Sequence, residues 1–143
     1  MHNNLGLAYY YTTQFDSAIF EYNRAIQVDP NSALYFNNRG RAKYSLKDFN
    51  GAFNDFSKAM GLNPDDPEAY FYMGITKLEM GDINGAILNL SVAIKLNSNY
   101  SGAYYYRGVA NSKLNRINEA VGDWKKAVEL GYQNAEELLD RYK

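Results

Sequence analysis

The sequence predicts an all-α solenoid of four helix-turn-helix units closed by a short C-terminal helix, and three observations carry that reading. Gly6, Gly40, Gly74 and Gly108 stand 34 residues apart, and Ala18, Ala52, Ala86 and Ala120 repeat the same interval behind them. Large apolar residues hold this register at Phe15, Phe49, Ile83 and Ile117, and again at Tyr22, Phe56, Leu90 and Trp124. A third small-residue column, Ala25, Ala59, Ala93 and Ala127, falls near the end of each unit. A period of this size marks one helical hairpin copied in series, each copy too small to bury its apolar face without its neighbours.

Each unit opens on a helix built around its glycine. Aromatics at Phe36, Tyr70 and Tyr104 lie one turn before it, and Ala8, Ala42, Thr76 and Ala110 lie two residues after it, small enough for another helix to come close. The first helix ends at Thr13-Gln14, Lys47-Asp48, Gly81-Asp82 and Asn115-Arg116, where a residue that must tolerate positive φ precedes a capping side chain. Asp48 and Asp82 are the best N-caps of the set. The second helix follows, its apolar residues stepping by three and four along one stripe. Asn50-Gly51 and Asn84-Gly85 resemble hairpin turns, but they lack alternating apolar flanks and belong to the start of this helix. Asp29-Pro30 and Asn63-Pro64 stop two of the second helices, because proline disfavours helical backbone in the residue before it. Asn97-Ser98 and Gly131-Tyr132 stop the others without proline. Residues 135–143 form the closing helix, with Leu138, Leu139 and Tyr142 packed back on the fourth hairpin and Glu136, Glu137, Asp140, Arg141 and Lys143 toward water.

An aromatic, a glycine four residues on, an alanine, a large apolar residue four further and then a proline together resemble the tetratricopeptide repeat, most plainly from Asn31 to Pro64 and from Asp65 to Asn97. The resemblance divides the chain into repeats at 1–32, 33–66, 67–100 and 101–134, followed by the cap at 135–143. It implies a right-handed superhelical solenoid with the first helices on the inner curve, and a non-catalytic scaffold that binds another protein or a peptide in the concave groove. The chain departs from the pattern in places. The aromatic three residues after the glycine survives as Tyr9 but gives way to Lys43, Lys77 and Asn111, and His2 holds the aromatic column of the first repeat.

Composition narrows the remaining classes. The chain has 143 residues, 46% of them hydrophobic, which suits one domain with a sizeable core. No apolar run approaches the roughly 20 residues of a membrane span, so no membrane partner is expected. There is no cysteine and no secretory signal, which favours the cytoplasm without fixing the compartment. Met1 falls inside the expected first turn of the first helix, as in a chain trimmed at its front. The N-terminal end has no counterpart of the cap, and self-association through it is the alternative to a peptide scaffold. His2, the only histidine, sits at a terminus where a frayed surface residue is expected, and no cofactor or metal is foreseen. The acid pairs Asp65-Asp66 and Glu136-Glu137 read as helix-capping acids, not as a general acid and base held across a cleft. A net charge of −1 and a pI near 5.8 argue against nucleic acid. The first helices are nonetheless the more basic set, chiefly through Arg39, Arg41, Lys43, Lys47, Arg107, Lys113 and Arg116, which points to a basic groove and an acidic or carboxylate-ended peptide.

Projected as the resemblance implies, the groove is lined by Asn3, Leu7 and Tyr10; by Asn37, Asn38, Arg41 and Tyr44; by Phe71, Tyr72 and Ile75; and by Tyr105, Tyr106, Val109 and Lys113. Tyrosine brings contact area with few rotors and a hydroxyl, and asparagine can pair with a peptide backbone. The alternative is that these tyrosines fill space between neighbouring first helices. Repeats that hold the acidic tails of heat-shock chaperones use a fixed set of lysines, arginine and asparagines. Those slots here hold Asn3, Leu7, Asn38, Glu68 and Tyr72, or one repeat later Asn37, Arg41, Tyr72, Gly102 and Tyr106. Only Asn38 agrees, so no such clamp is expected.

Overall fold

The computed structural model describes residues 1–142, and among them it forms nine α-helices and no strand. The helices are α1 His2–Tyr11, α2 Phe15–Val28, α3 Ala33–Ser45, α4 Phe49–Leu62, α5 Pro67–Glu79, α6 Ile83–Leu96, α7 Ser101–Lys113, α8 Ile117–Glu129 and α9 Asn134–Asp140. They pair as four antiparallel hairpins stacked in chain order, with α9 on α8. Adjacent first helices touch one another, α1 on α3, α3 on α5 and α5 on α7, whereas successive second helices make no comparable contact. The array therefore bends with the first helices inside.

The glycine column is explained by what faces it. A Cβ built on Gly6, Gly40, Gly74 or Gly108 would lie 2.5, 2.7, 2.7 or 2.5 Å from Tyr22, Phe56, Leu90 or Trp124 respectively. The two columns of one unit thus form a single device, a bare patch of first helix receiving the largest side chain of the second. The Asn-Gly pairs have a different cause. Asp48 and Asp82 accept the N–H of Gly51 and Gly85 at 3.0 Å, and a Cβ on either glycine would run into that capping carboxylate. Asp66 caps α5 in the same manner through the Glu68 N–H, with Pro67 in the first turn.

All four hairpins turn through one left-handed residue, Thr13 (φ 60°), Lys47 (φ 63°), Gly81 (φ 87°) or Asn115 (φ 58°). The N–H of Gln14, Asp48, Asp82 and Arg116 then reaches back to the carbonyl five residues earlier, which satisfies the last turn of the helix. Threonine is the poorest choice for this backbone because its branched Cβ crowds the carbonyl. Thr13→Gly should therefore raise stability by about 0.5–1 kcal/mol, the relief of strain exceeding glycine's extra chain entropy. A thermal melt no higher than wild type would refute this.

Proline is not required to end the second helices. Asp29, Asn63 and Asn97 are extended, and each side chain accepts the N–H two residues on, at 3.1, 3.2 and 3.0 Å. The third unit needs no proline because Asn97 makes the same turn. α8 ends instead at Gly131, with φ 97°. The cap is shorter than the sequence suggests, Asn134–Asp140. Ala135 is fully buried, Leu138 and Leu139 pack on the Trp124 cluster, and Tyr142 lies past the helix end with its ring 5.6 Å from that of Trp124. Glu136, Glu137, Asp140 and Arg141 are exposed as expected, while Lys143 lies outside the described residues. At the other end Met1 stands just ahead of α1, and His2 is not frayed, since its Nδ1 lies 2.8 Å from Glu21 and ties α1 to α2.

Candidate functional site

The inner face formed by α1, α3, α5 and α7 is organised around Arg41. Its guanidinium carbon lies 4.9 Å from the Tyr10 ring centroid and 5.0 Å from that of Tyr72, and Nη1 donates to Glu68 at 3.1 Å. One side chain of the second repeat is thereby held between a ring of the first repeat and a ring and a carboxylate of the third. Burial works against its charge, but Tyr72, Tyr10 and Glu68 outweigh that cost and keep its pKa above the ordinary arginine value. Nearby, Asn38 donates to Asn3 at 2.9 Å and joins α3 to α1.

Beyond Tyr72 a run of aromatic rings crosses the third and fourth repeats. Tyr72 meets Phe71 at 5.1 Å, Phe71 meets Tyr106 at 5.8 Å, Tyr106 meets Tyr105 at 5.0 Å, and Tyr105 stacks on Tyr132 at 4.7 Å. Tyr100 closes on Phe71 from the side at 4.8 Å. Burial raises the pKa of the Tyr72, Tyr105 and Tyr106 hydroxyls, and burial together with Glu79 pushes Tyr44 up to about 12. These rings stay neutral, with their hydroxyls protonated, across the physiological range. Tyr44 sits edge-on to Phe49 at 5.4 Å and walls a shallow cavity of about 350 Å³ with Ser45, Lys47 and Glu79.

The sequence-projected residues divide into two groups. Tyr10, Arg41, Tyr44, Tyr72, Tyr105, Tyr106, Leu7, Val109 and Asn3 are half-buried, and Lys113 is exposed. Asn37, Asn38, Phe71 and Ile75 are buried between helices, where they support the face instead of presenting a surface. Asn37 is only 3% exposed, with an unpartnered Oδ1. Glu68, Tyr100 and Tyr132 belong to the face but escaped the projection, since Glu68 and Tyr100 lie at or before helix starts and Tyr132 in the turn before α9.

The expected basic groove is not what the structure forms. Arg39 turns to Asp55 on α4 through two bonds of 2.9 and 2.7 Å, and Lys43 lies 3.1 Å from the same carboxylate. Arg107 makes the identical fork with Asp123 on α8, at 2.9 and 2.7 Å. Three cations counted toward the first helices are thus spent inside hairpins on second-helix acids. Among the described residues no group of acids and histidine could hold a metal ion, and no helix is long and apolar enough to cross a membrane.

The family model for the TPR repeat matches residues 6–46 and 40–81, more than half of the chain. The chain belongs to the tetratricopeptide repeat family. Solved structures of such repeats superimpose on 78–94% of its length. A crystal structure of MamA is 24% identical with a TM-score of 0.84, covering 94% of this chain and 80% of its own. The first TPR of Spaghetti (RPAP3), solved with the HSP90 peptide SRMEEVD, is 24% identical with a TM-score of 0.78, covering 79% of this chain and 90% of its own. The Arabidopsis OM64 TPR domain is 26% identical with a TM-score of 0.72, covering 78% and 96%. No curated protein gives a significant match. In this tetratricopeptide array the pairing of glycine with a bulky residue, seen in all four units, is the packing that the repeat register encodes, and it holds the aromatic inner face in place.

Proposed function

We propose that this chain is a non-catalytic scaffold that holds an extended or short helical segment of a partner protein along the face of its first helices. The observation that carries the reading is the unbroken contact of Tyr72, Phe71, Tyr106, Tyr105 and Tyr132 from the third repeat to the turn before the cap. Half-buried tyrosines on two repeats, bridged by the buried Phe71, give ring surface edged with hydroxyls, on which aromatic anchors act. Spaghetti's repeat, solved with a chaperone peptide, has the same fold. The slots that would hold an acidic chaperone tail are filled differently here, by Leu7, Glu68 and Tyr72 among others.

Titrating a captured partner against paired variants tests the face. Tyr72→Ala or Tyr106→Ala should weaken binding by about 1–2 kcal/mol, whereas Lys58→Ala and Lys125→Ala on second helices should change it little. Because Tyr72 also supports Arg41, each variant's melting curve is read beside its affinity. Loss of binding in the second-helix variants alone would move the site off the inner face.

One observation favours a second reading, self-association through α1. Leu5 is 43% exposed and Ala8 is exposed, although Ala42, Thr76 and Ala110 in the Ala8 column are buried. Light scattering on the same samples decides it: a dimer that Leu5→Glu dissolves would support this reading over the open groove.

A further inference from the structure

The charge balance of the inner face narrows what that face can hold. Arg41 is the cation at its centre, and its charge is already answered by Glu68 and by the faces of Tyr10 and Tyr72. Arg39, Lys43 and Arg107 are paired with Asp55 and Asp123. What remains exposed on α5 and α7 at one matching offset is Glu79 and Lys113, of opposite sign. A strongly acidic or basic segment laid here would give up hydration without finding a complementary field.

The face offers ring surface and hydroxyl donors instead. From Tyr72 to Tyr132 the half-buried tyrosine rings are set mostly edge to face around the buried Phe71, so the surface is one of angled rings, and the Tyr44 cavity adds a further wall. The backbone groups along these helices are used within the helices, so they cannot pair with the N–H and C=O edge of a β-type strand. A suitable occupant therefore presents carbonyls to donors, needs few acceptors, and packs apolar faces on rings.

Resting on the groove reading above, we infer that the occupant is an uncharged, proline-rich segment in the polyproline II conformation. Proline has no N–H to satisfy, its ring packs flat on an aromatic, and its carbonyls stand outward toward hydroxyl donors. The segment is already stiff, so little chain entropy is lost when it is held.

The test is calorimetric titration of the 143-residue chain with three short synthetic peptides. One is proline-rich and uncharged, one has the same sequence with prolines replaced by alanine, and one is glutamate-rich. The proline-rich peptide should bind with an affinity that barely changes between low and high salt, and the alanine version should be about tenfold weaker or more. Tyr106→Phe, which removes only a hydroxyl, should weaken the proline-rich peptide severalfold, and Tyr105→Ala should weaken it by about tenfold. Salt-sensitive binding of the glutamate-rich peptide, weakened by Tyr106→Ala, with no binding of the proline-rich one, overturns this inference and leaves the groove reading standing. Proline-rich binding untouched by Tyr105→Ala and Tyr106→Phe but lost in Lys58→Ala overturns both. Absence of binding by the proline-rich peptide at millimolar concentration also overturns the inference.

Discussion

Trp124→Ala should cost about 3–5 kcal/mol and unfold the C-terminal end of the array first. The indole is 1% exposed, sits in the space that a Cβ on Gly108 would need, and donates from Nε1 to the Tyr105 carbonyl at 3.2 Å. Ala120, Ala127 and Ala135 close around it, and Tyr142 stacks on its outer side. Its removal empties the joint between the fourth hairpin and α9 and frees the backbone that carries Tyr105. Because an array transmits stability through neighbouring repeats, protection from hydrogen exchange should fall in α7, α8 and α9 before it falls in α1 to α4. Native fluorescence offers an independent check, since this indole must emit as a buried one. A variant that melts like wild type, or a native spectrum typical of solvated tryptophan, would contradict this packing.

The parts of the fold that were legible in the sequence are those fixed within one repeat. The glycine and bulky columns lie sixteen residues apart in every unit, so the period alone exposes both halves of the contact. The capping aspartates and left-handed turn residues are equally local. What a charge sum over whole helices conceals is direction. Arg39 and Lys43 lie one turn apart on one side of α3 and Arg41 on the other, and Arg41 turns inward to rings of two other repeats while the other two turn to Asp55. Net charge summed by helix cannot see that partition. The signal that could have shown it is the repeated spacing of Arg39 with Asp55 and Arg107 with Asp123, an arginine just before the glycine and an aspartate just before the bulky residue. Tyr132 was hidden for another reason, since it lies in a turn outside the helical projection and reaches Tyr105 only through the cap's geometry.

Asp55→Ala should destabilise the second repeat by about 2–4 kcal/mol, more than any other single charge removal in the chain. Its side chain is 4% exposed and answers two cations, Arg39 through a fork and Lys43 at 3.1 Å. Arg39 also donates to Asn23 at 2.9 Å and lies over Phe36, so it cannot simply swing away. Its guanidinium and the Lys43 ammonium would be stranded beside a cavity, although both retain some contact with water, which keeps the cost below that of a fully buried pair. Asp123→Ala strands one cation, Arg107, and a long 3.5 Å bond from Asn111, and should cost less. The third repeat supplies a natural control, because Met73 and Asn89 stand where the second and fourth repeats carry arginine and aspartate. That repeat packs without the pair and tolerates an unpartnered Asn89 Oδ1. Arg39→Met combined with Asp55→Asn copies this arrangement, and the double variant should be more stable than Asp55→Asn alone, since the uncompensated arginine is then gone. Denaturant melts of the four proteins in that cycle measure the coupling. Strict additivity would mean that the fork holds the second repeat no more tightly than two independent surface charges.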